Sequence, residues 1–356
     1  MRAVRWHGRG DVRVEEVPDA PAPGPREVEL AVDWCGICGT DVEEFRNGPL
    51  VIATDPHPLT GYSAPIVIGH EVAGRVVSVG SAVENFAVGD SVAVDGILPC
   101  GACPACDRHD VQLCDRVGAV GMSWPGGLAE RLTVPDFTVV AARSAPTDAL
   151  AMAEPLSVAV RALRRGRVRS GERIMVIGAG AIGLAALLVA RAQGCGDVVV
   201  VDPVPARRAL ALQLGAAAAL DPSDDLAAVA VSARGDGPDA VIECSGQPGT
   251  VRTATKIVRK GGRVVLVGLH LESEPFRWLG VVAREIDIIG SVSHVYDEDF
   301  VDAVRLIDER AVDPLPLVTH RIPLERAVSD GLAPLAAGAL TGAIKILVSP
   351  SGGAGG

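Results

Sequence analysis

No stretch of this 356-residue chain reaches the roughly 18 apolar residues that a membrane-spanning helix needs, so an integral membrane protein is not expected. The opening Met1-Arg-Ala-Val-Arg-Trp6 runs into charged residues. The apolar centre of a secretory signal is therefore missing, and a cytoplasmic location is expected. Positive charge is in short supply: 33 Lys and Arg stand against 44 Asp and Glu, a net charge of -11. That balance speaks against nucleic acid or an anionic membrane as a partner. Internal repeats are also lacking. What remains is a chain with 48% hydrophobic and 22% charged residues, the composition of a globular protein. Its length is generous for one core and predicts two domains.

Eight cysteines are present, and six of them precede residue 115. An even number would suit a disulfide scaffold in a short secreted chain, which this is not, so clustered cysteines read as metal ligands. Cys100-Gly-Ala-Cys103-Pro-Ala-Cys106, followed by Cys114, forms C-x2-C-x2-C-x7-C. One loop with such short spacings can wrap a zinc ion in a tetrahedron of thiolates. Four protein ligands leave no open position, so this zinc is expected to be structural.

Two textures divide the chain near Glu154. Short runs at 28–33, 71–79 and 90–95, bounded by Gly, Pro and Asp, read as strands of a barrel-like β domain. Beyond Glu154, apolar runs alternate with alanine-rich stretches. Runs at 174–177, 198–201, 218–220, 240–242, 264–267 and 286–289 predict six strands, and 181–193, 206–214, 226–232 and 250–258 predict helices. Continuous apolar runs such as Val198-Val-Val-Val201 suit strands buried on both faces. The alternating order predicts a doubly wound parallel six-stranded sheet, an α/β fold. After His294 the pattern turns mixed, and 342–348 predicts a strand returning to the first domain. The expected domains are thus 1–153 with 295–356, and 154–294. The glycine-rich end, 351–356, has nothing to bury and is expected to be disordered.

Gly178-Ala-Gly-Ala-Ile-Gly183 follows the strand at 174–177 and opens a helix. That context gives weight to a motif that is weak alone. Gly178 allows the tight turn, Gly180 lets backbone approach a pyrophosphate, and Gly183 lets the helix pack on the sheet. The helix start around Ala181 and Ile182 then offers N–H groups and partial positive charge to phosphate. Asp202 lies 19 positions after Gly183, where an acidic residue holds the adenosine ribose of NAD. A 2′-phosphate would face this carboxylate, so NAD is preferred over NADP. Arg207 and Arg208 close behind keep NADP open.

Cys38-Gly-Thr-Asp41, Gly69-His70-Glu71 and Glu154-Pro-Leu-Ser157 supply a thiolate, an imidazole and carboxylates. These are the donors of a zinc site with one position left open. Each is ordinary alone, since a histidine before a strand or a glutamate before proline is commonly structural. Their company with a dinucleotide motif is what makes them candidates.

With Gly36-Ile-Cys-Gly-Thr-Asp41, Val88-Gly-Asp90, the four-cysteine loop and the glycine motif, the chain resembles the zinc-containing medium-chain dehydrogenases, the alcohol dehydrogenase superfamily, over nearly its whole length. The resemblance implies a GroES-like β-rich catalytic domain plus a Rossmann domain, two zinc ions per chain (one catalytic, one structural), and a homodimer or homotetramer. Glu154-Pro-Leu and Pro56-His-Pro-Leu-Thr-Gly61 are similar to the polyol branch, most like butanediol and sorbitol dehydrogenases. It further implies that Cys38 and His70 bind catalytic zinc, with Cys35 outside the set, and that Glu154, or else Glu71, is the third ligand. Asp41 is expected to accept a hydrogen bond from His70. The zinc would lower the pKa of an alcohol, hydride would pass to the cofactor, and Thr40 would pass the proton outward. Thr40 read without the family is a turn hydroxyl.

Many relatives carry a histidine five residues after the zinc cysteine; here Glu43 stands there, beside Glu44. Either Glu43 finishes the proton relay or water carries the proton, and the acidic pair also reads as a solvated helix start. This departure leaves sugars and cyclitols open beside diols as the small-molecule substrate. The resemblance extends cofactor contacts to Ser245, Val267, Leu269 and Ser291, after the later strands. It also extends them to Lys345 as a pyrophosphate contact, against the plainer reading of an exposed strand lysine. The alternatives are a glucose or sugar dehydrogenase of the same superfamily and a non-catalytic protein that binds NAD and zinc.

Overall fold

The computed structural model describes residues 1–226, 228, 236–270 and 272–350. The chain forms two compact units, Met1–Glu154 with Val295–Gly356, and Pro155–His294. Glu154 therefore groups with the first unit rather than opening the second. The end at 351–356 and most of the helix expected at 226–232 lie outside the described residues. No helix among the described residues is long and apolar enough to cross a membrane.

The first unit carries a small sheet in the order β2-β1-β4, from β1 (Arg2–Gly8), β2 (Asp11–Glu16) and β4 (Ile66–Val67). Its main sheet contains β3 (Glu27–Gly36), β5 (Glu71–Val79), β6 (Ser91–Val94), β9 (Arg131–Pro135), β10 (Val139–Ala142), β17 (Val318–Pro323) and β18 (Lys345–Ser349). The order is β10-β6-β5-β3-β18-β17, with β9 also on β3, and β7 (Ile97–Leu98) pairs with β8 (Gly118–Ala119) in a separate two-stranded sheet. Strand β3 buries Val28, Leu30 and Val32 in alternation, the period-2 pattern of a half-buried strand. These residues pack with Val72, Val76, Val92, Val94, Leu132 and Ile346 in one core.

Register in this sheet gathers the site. Gly36 pairs with Glu71 across β3 and β5, and with Leu347 across β3 and β18. Three chain segments far apart in sequence therefore meet at one end of the sheet. Only glycine fits at 36, because a Cβ there would lie 1.9 Å from Glu71 Oε2. The strand expected at 342–348 is β18, running antiparallel to β3.

The second unit is a parallel sheet of β11 (Ile174–Ile177), β12 (Val198–Val201), β13 (Ala218–Leu220), β14 (Ala240–Glu243), β15 (Arg263–Leu266) and β16 (Asp287–Gly290). The order is β13-β12-β11-β14-β15-β16, so it reverses between β11 and β14. Such a reversal opens a crevice at the carboxyl ends of the strands. Helices Ala181–Ala192, Pro205–Gln213 and Thr250–Ile257 link successive strands. Met175, Val201, Val241 and Val264 share a core with Ala254 and Ile257.

Candidate zinc and dinucleotide sites

In the first unit, ligand atoms of Cys38, His70 and Glu71 lie within 4.8 Å of one another. Cys38 is the N-cap of helix Gly39–Asn47. His70 ends the turn that leads into β5. Asp41 Oδ2 accepts the Cys38 N–H at 2.9 Å and so fixes the thiol's backbone. Asp41 Oδ1 is 3.6 Å from His70 Nδ1, too long for the hydrogen bond expected of it. His70 Nδ1 is buried without a hydrogen-bond partner among the described residues. Thr40 Oγ1 sits 3.7 Å from Cys38 Sγ, so its hydroxyl faces the candidate ligand sulfur.

Burial alone would lower the His70 pKa. The charges of Asp41, Cys38 and Glu154 outweigh it and hold the ring well above the usual imidazole value. The same field favours any cation at this point. A half-buried thiol, a buried imidazole with an orphaned nitrogen and a buried carboxylate in one group suit a zinc ion with an open position.

The third ligand is complicated by Lys345. Expected at a pyrophosphate, this lysine is instead 4% exposed, inside the first unit. Its ammonium donates to both carboxylate oxygens of Glu71, with Oε2 at 2.7 Å, and to Ile37 O at 3.2 Å. The reason is the β3–β18 pairing, which carries the start of β18 beside Gly36 and Ile37. Glu71 thus lies among the ligand atoms but is neutralised by Lys345. Glu154 is outside that group of three, in the first turn of helix Ala153–Arg165, though its charge reaches His70 and Lys345.

The acidic pair divides. Glu43 takes hydrogen bonds from Asn47 Nδ2 at 2.8 Å and Arg46 Nη1 at 3.3 Å, at the helix surface. Its carboxylate is engaged along its own helix rather than as the end of a relay. Glu44 is buried, not a solvated helix start. Its carboxylate accepts N–H groups of Leu50 at 3.0 Å, Ile52 at 3.1 Å and Val51, which shapes the loop after the helix.

The four cysteines Cys100, Cys103, Cys106 and Cys114 also bring their sulfurs within 4.8 Å of one another, unpaired by disulfides. Cys103 and Cys106 sulfurs are 3.6 Å apart. Thiolates about 2.3 Å from a tetrahedral zinc would stand about 3.8 Å apart, so the residues fit the ion. Backbone N–H groups of Cys106 and Asp115 pull the Cys103 thiol down to about 6, whereas burial pushes Cys114 up to about 11. Backbone N–H groups of Cys100 and Arg116 donate to Cys114 Sγ at 3.3 and 3.4 Å, favouring its thiolate form.

In the second unit, Gly178 has φ +99° directly after β11, a backbone that L side chains rarely adopt. A Cβ on Gly183 would lie 1.8 Å from Gly178 O. Gly180 is the N-cap and Ala181, Ile182 and Gly183 form the first turn of the helix, so their N–H groups point out of its end. Asp202 is 3% exposed. Its Oδ2 accepts Ala179 N at 2.7 Å and its Oδ1 accepts Val204 N at 2.8 Å, which ties the glycine turn to the end of β12. Arg207 Nη1 stands 4.0 Å from Asp202 Oδ2. Arg208 donates to Asp202 O and to Asp221.

The softer cofactor candidates all follow strands at the carboxyl edge of this sheet. Ser245 follows β14, Val267 donates its N–H to Glu243 O at 2.8 Å, and Leu269 is 74% exposed. Ser291 N donates to Leu266 O at 2.9 Å, and its hydroxyl is buried without a hydrogen-bond partner among the described residues. Sequence reasoning missed Glu243 and His270, which bond to one another between two of these loops. A carboxylate closing the apolar run at 240–242 was the available signal.

Residues 24–144 match the model of the alcohol dehydrogenase GroES-like domain, and residues 181–309 match that of the zinc-binding dehydrogenases. A (R,R)-butanediol dehydrogenase of Neisseria gonorrhoeae is 33% identical, aligned over 99% of this chain and all of the relative. Human sorbitol dehydrogenase is 34% identical over 90% of this chain and 89% of its own length. The crystal structure of 2R,3R-butanediol dehydrogenase from Bacillus subtilis superposes with a TM-score of 0.90 at 32% identity, covering 98% of this chain and 99% of that one. Two matched models in chain order, carried by a relative aligned end to end, agree with the four-cysteine cluster, the Cys38–His70–Glu71 group and the glycine turn: the chain belongs to the zinc-binding dehydrogenases of the alcohol dehydrogenase family.

Proposed function

We propose that this chain converts a secondary alcohol of a diol, polyol, sugar or cyclitol to a ketone, reversibly, with NAD as hydride acceptor. The observation that carries the reading is the gathering of Cys38, His70 and Glu71, whose ligand atoms lie within 4.8 Å of one another, with the charge of Glu154 also reaching His70. Similarity to proteins named butanediol and sorbitol dehydrogenases supports the substrate class. When bound, zinc supplies the Lewis acidity that makes an alcohol hydroxyl a stronger acid, and NAD supplies the hydride acceptor.

The chain's own residues do the rest. Cys38 and His70 hold the catalytic metal, with Glu154 as the favoured third donor because Lys345 engages Glu71. Thr40 Oγ1, beside Cys38 Sγ, takes the alcohol proton and hands it to water, since Glu43 is occupied by Arg46 and Asn47. Cys100, Cys103, Cys106 and Cys114 hold a second, structural zinc. Gly178, Gly180 and Gly183 admit the pyrophosphate, and the Asp202 carboxylate disfavours a 2′-phosphate, so NAD is preferred to NADP. Four thiols kept reduced suit the cytoplasm. Two or four copies associate, as the resemblance implies.

The test is metal analysis with an assay of NADH formation over diols, polyols, sugars and aminocyclitols. About two zinc per chain are expected. Cys38→Ser should abolish turnover and leave one zinc on the four-cysteine loop. Unchanged turnover in that variant refutes the assignment.

A further inference from the structure

Glu243 closes β14 and is fully buried. Its Oε1 accepts the N–H groups of Ser245 at 2.9 Å and Gly246 at 3.1 Å, and the Ser245 hydroxyl. Its Oε2 lies 2.8 Å from His270 Nε2. Its backbone oxygen accepts the N–H groups of Val267 and Gly268. One residue thus ties the loop after β14 to the loop after β15. A buried carboxylate is costly unless partnered, and His270, with a side chain 22% exposed, is its side-chain hydrogen-bond partner from the loop after β15.

The glycines around this pair show how tightly the loops meet. A Cβ on Gly268 would lie 2.2 Å from Gly246 N, and one on Gly246 would lie 2.7 Å from Leu269 O. A Cβ on Gly178 would lie 3.0 Å from Ser245 N. The loops after β11, β14 and β15 therefore pack on one another where the strand order reverses, the place at which an open α/β sheet binds its ligand.

We propose that His270, clasped by Glu243, is a positioning residue for the nicotinamide half of the dinucleotide, an inference that rests on the dinucleotide-binding reading above. Asp202 and the glycine turn lie on the β11–β12 side of the reversal and serve the adenosine half. The clasp lies on the β14–β15 side and holds Ser245, Val267 and Leu269 in place before any ligand arrives. A loop ordered in advance spares the ligand the entropy of ordering it. Loss of the clasp should therefore weaken ligands that use the nicotinamide half and spare those that use only the adenosine half.

The experiment titrates the full-length protein with NADH and, separately, with ADP-ribose, which lacks the nicotinamide, by calorimetry. His270→Ala and Glu243→Gln should each raise the NADH Kd roughly ten-fold, the scale of a lost charge-assisted hydrogen bond. The ADP-ribose Kd should change by less than about two-fold. His270→Gln, which keeps a neutral donor, should recover part of the loss. Equal weakening of both ligands, or unchanged NADH affinity in His270→Ala, overturns the inference. If Glu243→Gln fails to fold, His270→Ala decides alone, because its side chain is partly exposed. A wild-type protein that binds neither ligand refutes the dinucleotide reading itself.

Discussion

Replacing Lys345 by methionine separates two roles for this residue. A lysine that reached a pyrophosphate would be dispensable for folding, and its loss would weaken the dinucleotide. The structure gives it a buried partner instead: Glu71 is fully buried, Lys345 is 4% exposed, and the ammonium spans both carboxylate oxygens. Methionine matches the stem but leaves Glu71 as a buried anion without its counter-ion. Breaking a buried pair in this way costs about 3–5 kcal/mol, against about 0–1 kcal/mol for an exposed pair. At about 2–4 °C per kcal/mol for a unit of this size, Tm should fall by roughly 6–20 °C. The double variant Glu71→Gln with Lys345→Met removes both charges. It should regain at least about 2 kcal/mol relative to the sum of the single losses. Urea midpoints and calorimetric Tm, read with zinc content measured for each variant, check this. A loss under about 1 kcal/mol in Lys345→Met, or strict additivity in the double variant, refutes the argument for a buried counter-ion.

Two further predictions concern the second unit. Gly183→Ala drives a methyl to 1.8 Å from Gly178 O, so the turn must shift. Dinucleotide binding should be lost by calorimetry while the four-cysteine zinc remains. Asp239 accepts Arg173 N at 2.9 Å and Arg259 Nε at 2.7 Å. Burial works to raise its pKa, but these two partners outweigh burial and hold the carboxyl below its usual value. A depressed folded pKa gives stability that is present above the unfolded value, about 3.9, and lost as pH falls through the folded one. Asp239→Asn should therefore cost about 1–2 kcal/mol at pH 7, and the gap from wild type should narrow below about pH 3.9. A gap that persists unchanged in urea titrations at pH 3 contradicts this account.

Much of the fold was legible because its signals are local. The strands at 174–177 and 198–201 coincide with β11 and β12, since runs buried on both faces read as continuous apolar segments, and the run at 218–220 coincides with β13, a half-buried edge strand. The four-cysteine loop and the glycine turn each fit within a few turns of chain, where spacing alone limits what the residues can meet. Asp41 faces two partners with its two oxygens: Oδ2 accepts the Cys38 N–H at 2.9 Å, and Oδ1 stands 3.6 Å from His70 Nδ1, a separation that the positions of the two residues in the chain do not show. Glu43 and Glu44 look alike in sequence, yet one faces along its helix and the other is buried under the following loop.

The sequence by itself determined the donor types, the glycine geometry and the order of the two textures, because these depend on neighbours along the chain. Which distant residues share a site was decided only by tertiary structure. The pairing of β3 with both β5 and β18 brings Lys345 to Glu71 across 274 positions, and two adjacent strand ends bring His270 to Glu243. Register and burial fix such meetings, and a buried charge takes whichever counter-ion the packing offers, because leaving it alone in a low dielectric costs more than any local preference supplies.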